Sequence, residues 1–166
     1  MKKILILDDQ PIVLELLKFS LEQQIDAEIF SANNIDLAKS IVEREDIDLI
    51  ITDYNIVPYR SLNKTSGLEL VRYIEKRIMD LPIIMFSGEV NFNKTINNLG
   101  SNIVAYIDKN DEDFISDLIK SCKDTLKAKE IKKKIIKSEE KSKVHFKNII
   151  SILVIIILVL ILTFIL

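Results

Sequence analysis

The 166 residues, 48% apolar and 29% charged with three Gly and three Pro, suffice for one domain plus some extra chain and exclude a collagen-like or wholly disordered protein. One Cys and one His exclude a disulfide framework, a Cys-based zinc cluster and a His-rich metal site. The net charge of −2 hides an acidic body (−9 over residues 1–117), a basic neck (+7 over 118–147) and an uncharged apolar tail (148–166).

Residues 4–7 (ILIL) predict a short buried strand. The preceding Met1-Lys2-Lys3 gives this start the look of a signal peptide, but a signal core needs roughly 7–15 apolar residues. Here the run stops at Asp8-Asp9, so the body is expected in the cytoplasm. Pro11 suits the first turn of a helix that carries Val13, Leu14, Leu16, Leu17 and Leu21. Residues 27–31 are a weaker strand candidate. Asn33 or Asn34 can cap a helix with Leu37, Ala38, Ile41 and Val42. Residues 47–51 form the next apolar run, interrupted by Asp48. Gly67 precedes a helix with Leu68, Leu70, Val71 and Ile74. Residues 83–86 and 103–107 are two further apolar runs. Asp111 or Asp113 can cap a helix carrying Ile115, Leu118, Ile119 and Cys122, and this helix continues into the neck. Unbroken apolar runs suit strands buried on both faces. Alternating with helices about five times, they predict an α/β domain with a parallel sheet and right-handed crossovers.

In such sheets ligands bind at the carboxyl ends of the strands. The successive runs end in Asp8-Asp9, Asp53, Ser87-Gly88 and Asp108-Lys109. Any one of these alone is an ordinary turn or cap; their conjunction brings carboxylates, a hydroxyl and an ammonium to one rim. Clustered carboxylates repel unless a cation joins them, and Mg²⁺ is a hard ion that takes oxygen ligands. A carboxylate can also act as a nucleophile and form an aspartyl-phosphate, with a metal, a Lys and a hydroxyl neutralising the transferring oxygens.

These motifs, ILILDD (4–9), IITD (50–53), PIIMFSG (82–88) and YIDK (106–109), resemble the receiver domain of two-component response regulators over roughly residues 2–126. The resemblance implies a flavodoxin-like (βα)5 doubly wound sheet. It implies that Asp53 is the phosphoacceptor, fed by a histidine kinase or phosphotransfer protein. Asp8, Asp9 and Asp53 would hold Mg²⁺ with the backbone carbonyl of Asn55. Ser87 would be the switch hydroxyl, Lys109 the pairing cation, and Tyr106 the aromatic switch on the output face. Such a chain accepts phosphate rather than turning over a substrate, apart from slow self-dephosphorylation. Three features depart from the family pattern: Asn110 replaces the usual Pro after Lys109, the loop 54–66 is long and contains Pro58, Tyr59 and Arg60, and Gly100 lies two residues further than usual from Tyr106.

Residues 149–166, from Ile149 to Leu166, contain only Ser151 and Thr163 as polar residues. As a helix they would be about 27 Å long, near the hydrocarbon thickness of a bilayer. They predict a C-terminal transmembrane anchor. Lys141, Lys143 and Lys147 precede it, so the domain is expected on the cytoplasmic face. The expected organisation is a receiver (1–126), a basic helical neck (127–147) and a transmembrane helix (148–166). The neck lacks Arg and any DNA-binding module, so no nucleic-acid partner is expected. The expected function is a membrane-tethered stand-alone receiver that signals to a downstream protein by contact. The alternative is a receiver-like scaffold at the membrane that carries no phosphate. A carboxylate phosphatase fits less well, because the first strand ends in adjacent aspartates and the length leaves no room for a cap domain.

Overall fold

The apolar runs form strands because both of their faces are covered. The computed structural model describes residues 1–56, 65–77, 80–88 and 102–165, with side chains described as far as Ile150 apart from Thr65. The described elements run β1 (Lys2–Leu7), α1 (Pro11–Glu22), β2 (Ala27–Ala32), α2 (Ile35–Arg44), β3 (Leu49–Asp53), β4 (Asn55–Ile56), β5 (Thr65–Ser66), α3 (Leu68–Glu75), β6 (Ile83–Ser87), β7 (Ile103–Asp108) and α4 (Phe114–Ile165). Five strands form one sheet in the order β2-β1-β3-β6-β7, and every pairing in it is parallel. This is the parallel sheet that the alternation predicts, in the doubly wound order that the resemblance implies.

Neighbouring residues along a strand point to opposite faces, and the two sides of the core divide accordingly. Leu5 and Leu7 of β1 pack with Ala38, Ile41 and Val42 of α2 and Leu70, Val71 and Ile74 of α3. Ile4 and Ile6 pack on the other face with Leu14, Leu17 and Leu21 of α1 and Leu118, Cys122 and Leu126 of α4. Asn34 caps α2, its side chain accepting the Leu37 N–H at 2.8 Å.

Two elements differ from expectation. The third strand starts at Leu49, not Ile47, because Asp48 bonds sideways to β1: its N–H donates to the Lys3 carbonyl at 2.8 Å and its carboxylate accepts the Lys3 N–H at 3.1 Å. The long loop after Asp53 begins and ends in an antiparallel pair, β4 with β5, in which Asn55 faces Ser66 and Ile56 faces Thr65. Ile56 is fully buried, and it anchors this small hairpin to the core. Pro58, Tyr59, Arg60 and Gly100 lie outside the described residues.

The chain divides into two compact units, Met1–Leu126 and Lys127–Leu166. In the second unit the backbone is helical to Ile165, and Lys134 pairs with Glu130 at 2.8 Å one turn earlier. The expected transmembrane helix is not found among the described residues, where no helix is long and apolar enough to cross a membrane. The side chains of 151–166, on which that expectation chiefly rests, lie outside the described residues.

Candidate functional site

The strand ends converge as the sequence pattern requires. β1 delivers Asp8 and Asp9, and β3 beside it delivers Asp53. β6 delivers Ser87, and β7 leads into Lys109. Asp8 and Ser87 are fully buried and Asp53 is 4% exposed. Carboxylate oxygens of Asp8, Asp9 and Asp53 lie within 4.8 Å of one another.

Lys109 is the cation that meets them. Its Nζ donates to Asp8 Oδ2 at 2.9 Å and to Asp53 Oδ2 at 2.8 Å. The same ammonium lies 4.4 Å from the centre of the Phe86 ring, a contact that favours a desolvated cation. Backbone donors hold the other carboxylate oxygens: Gln10 N–H bonds Asp8 Oδ1 at 2.8 Å, and Asn55 N–H bonds Asp53 Oδ1 at 3.2 Å. Among the described residues no buried side-chain polar atom lacks a hydrogen-bond partner.

Burial nevertheless holds the Asp53 carboxyl above the usual carboxylate range; the Lys109 contacts oppose that rise, and the nearby Asp8 charge adds to it. Three carboxylates facing one ammonium leave a deficit of two positive charges. A hard divalent cation with oxygen ligands matches both that donor set and that deficit. Mg²⁺ therefore fits Asp8, Asp9 and Asp53.

Gly67 explains how the hairpin returns so close to Asp53. A Cβ at this position would lie 2.1 Å from the Asp53 carbonyl oxygen and 2.8 Å from Thr52 Oγ1. Only glycine lets α3 begin there. The Gly67 N–H also donates to the Tyr54 carbonyl at 2.7 Å, which closes the loop at its base.

Tyr106 is half-buried, packs against the α2–α3 side of the core, and donates its hydroxyl to the Ser87 carbonyl at 3.2 Å. The Lys109 N–H donates to that same carbonyl at 2.9 Å. Asp8, Asp9, Asp53, Ser87 and Lys109 thus share one rim, Asn55 adjoins it through Asp53, and Tyr106 connects to it through Ser87. The Gln10 donor, the Phe86 ring and the close approach of Gly67 are additions that the sequence reading does not contain. Backbone donors and ring faces leave no pattern at this spacing, whereas a glycine opening the helix that follows the loop after an acidic strand end was a usable signal.

The sequence profile of the response regulator receiver domain matches residues 4–120. The chain belongs to the response regulator receiver domain family. The receiver is 32% identical over 109 residues to the response regulator protein PilR of Pseudomonas aeruginosa, covering 65% of this chain and 23% of PilR. It is 28% identical over 110 residues to a chemotaxis protein CheY homologue of Campylobacter jejuni, covering 64% of this chain and 80% of that protein. Among solved structures it is similar to the response regulator TrrA of Thermotoga maritima, determined in complex with Mg²⁺ and BeF. The TM-score is 0.63 at 27% identity, covering 75% of this chain and 99% of the other. The receiver therefore spans less than a quarter of PilR. Receiver domains bind Mg²⁺ at an acidic pocket, and they interact with histidine kinases or phosphotransfer proteins.

Proposed function

We propose that this chain is a membrane-tethered receiver that takes a phosphoryl group on Asp53 from a histidine kinase or phosphotransfer protein. It would then signal to a downstream protein by contact. The observation that carries the reading is the Lys109 ammonium shared by Asp8 and Asp53, with Asp9 and buried Ser87 at the same rim.

In the proposed step an Asp53 carboxylate oxygen bonds to phosphorus while the bond from phosphorus to the donor's imidazole nitrogen breaks. Asp8, Asp9, Asp53 and the Asn55 carbonyl would hold Mg²⁺, which when bound screens the negative charge of the transferring oxygens. Lys109 moves its ammonium from the carboxylates to the phosphoryl oxygens, and the Ser87 hydroxyl donates to them. Both residues are tied to Tyr106 through the Ser87 carbonyl, so loading shifts the population of conformers at Tyr106.

The donor has a surface to dock on. Ile12, Leu16 and Phe19 are 78%, 47% and 65% exposed and share one face of α1, which starts beside Asp8 and Asp9. That stripe suits an apolar helix of the donor protein. The tether rests on sequence: residues 149–166 are long enough and apolar enough to span a bilayer as a helix, and the lysines before them favour a cytoplasmic receiver.

The test uses residues 1–128, since both sides of the core close within Met1–Leu126. With Mg²⁺ and acetyl phosphate, intact mass should show one added phosphoryl group, absent in Asp53→Ala. No added mass on folded, Mg²⁺-binding protein would favour the phosphate-free scaffold. The tether is tested on the full chain: it should stay with membranes through alkaline carbonate washing, and a chain ending at residue 147 should not.

A further inference from the structure

The turn after β6 is fastened to the turn after β7 by donors from one short segment. The Ser87 carbonyl accepts from the Lys109 N–H and from the Tyr106 hydroxyl. One residue on, the Gly88 carbonyl accepts from Asn110 Nδ2 at 2.8 Å. Asn110 is held in turn by Asp108, whose Oδ1 accepts Nδ2 at 3.0 Å and the Asn110 backbone N–H at 2.9 Å. The β6–β7 ladder ends where Ser87 faces Asp108, and the Asn110 side chain supplies one more cross-link past that end. A proline, with neither N–H nor side-chain amide, could make none of these three bonds.

We propose that Asn110 is a positioning residue for phosphoryl transfer. Its amide locks the Ser87–Gly88 turn to the Lys109 turn, so that hydroxyl and ammonium meet the incoming phosphoryl group as one unit. The inference rests on the reading of Asp53 as phosphoacceptor and adds to it what sets the two neighbouring groups. Without the Asn110 amide, the described hydrogen bonds that join the two turns are those to the Ser87 carbonyl, and Gly88 loses the described partner of its own carbonyl. Misplacement of either group by a fraction of an ångström slows transfer while leaving the acidic site intact.

The experiment uses the full chain in detergent with Mg²⁺ and acetyl phosphate. The Asp53 oxygen bonds to phosphorus as the bond from phosphorus to the acetate oxygen breaks, and acetate leaves. The labelling rate is read by intact mass at saturating donor, and Mg²⁺ affinity is titrated separately. Asn110→Ala should label about tenfold more slowly, with Mg²⁺ affinity unchanged within about twofold because Asp8, Asp9 and Asp53 are untouched. Asn110→Gln, which keeps the donor, should recover much of the rate. Asn110→Asp, equal in size but without the donor, should behave like the Ala variant and decides the matter if that variant fails to fold. Labelling within about twofold of wild type in both Ala and Asp variants overturns the inference alone. So does a slowing matched by an equal loss of Mg²⁺ affinity, which would mark general damage to the site. Failure of the wild-type chain to label overturns the Asp53 reading and the inference with it.

Discussion

Replacing Lys109 by Met removes the ammonium from between two buried carboxylates and keeps the apolar stem over Phe86. In the wild type the ammonium lies 2.9 and 2.8 Å from Asp8 and Asp53, attractions that outweigh the repulsion between those carboxylates. Without it, carboxylate charges no more than 4.8 Å apart repel by about 3.5 kcal/mol at an effective dielectric near 20. Breaking a buried ion pair from one side costs about 3–5 kcal/mol. A loss of about 3 kcal/mol follows, at the lower end of that range because the Lys109 side chain keeps 19% of its surface in solvent. For a unit of about 126 residues that is a fall in Tm of about 10 °C, measured on residues 1–128 by thermal denaturation in EDTA at pH 7.5. Mg²⁺ should restore more stability to this variant than to wild type, since no ammonium competes with it for the same oxygens. The pH dependence has a definite sign. The folded Asp53 carboxyl holds its proton above the usual carboxylate range, so in that window the folded state binds more protons than the unfolded chain. Its stability therefore falls as pH rises through the window and then levels off. Losing the two Lys109 contacts that oppose the rise carries the window to higher pH. A Tm within about 3 °C of wild type in EDTA, or equal gains with Mg²⁺ in both proteins, would refute the charge argument.

Gly67→Ala should cost about 3 kcal/mol, because its Cβ would sit 2.1 Å from the Asp53 carbonyl oxygen and backbone must move to admit it; denaturant titration measures the loss, and an unchanged midpoint would contradict the close approach. Asn34→Ala should cost about 1 kcal/mol by removing the side-chain acceptor for Leu37 N–H, with Asn34→Asp close to wild type in the same titration. Burial pushes the Cys122 thiol up to about 12, so iodoacetamide at pH 8 should leave the native protein unmodified and label it promptly in guanidinium; rapid native labelling would show that α4 does not hold its Cys122 side against the sheet and α1.

The rim was legible because of how a parallel sheet buries itself. With both faces covered by helices, a strand can carry polar side chains only where it ends, so an apolar run followed at once by Asp or Ser marks the rim. Asp8, Asp9, Asp53, Ser87 and Lys109 were found in that way, whereas Tyr106 was marked by the resemblance of the YIDK motif to receiver domains. What escaped is local geometry with no period of its own. The β4–β5 pair has two residues per strand, too few to alternate. Asp48 interrupts an apolar run because it bonds across to Lys3, a use that its position alone does not announce. Asn110 stood out only as a missing proline. Its bond to Gly88, 22 residues away in sequence, depends on two turns meeting in space.

These particulars combine into an account of how a charge change at Asp53 could reach the protein surface. Converting the Asp53 carboxylate to an acyl phosphate adds negative charge where, among the described residues, Lys109 is the cation in contact. The ammonium cannot keep its present position midway between Asp8 and Asp53 and also follow the new oxygens outward. Its own backbone N–H, however, is bonded to the Ser87 carbonyl, so a shift of Lys109 pulls on the Ser87 turn. The Tyr106 hydroxyl donates to that same carbonyl, and its side chain is only half-buried. A parallel core packed on both faces resists deformation, so the movement is confined to the turns beyond the strand ends. On the proposed reading, one carbonyl oxygen would be shared between the group that senses charge and the aromatic side chain that displays it, and the coupling would need no rearrangement of the sheet.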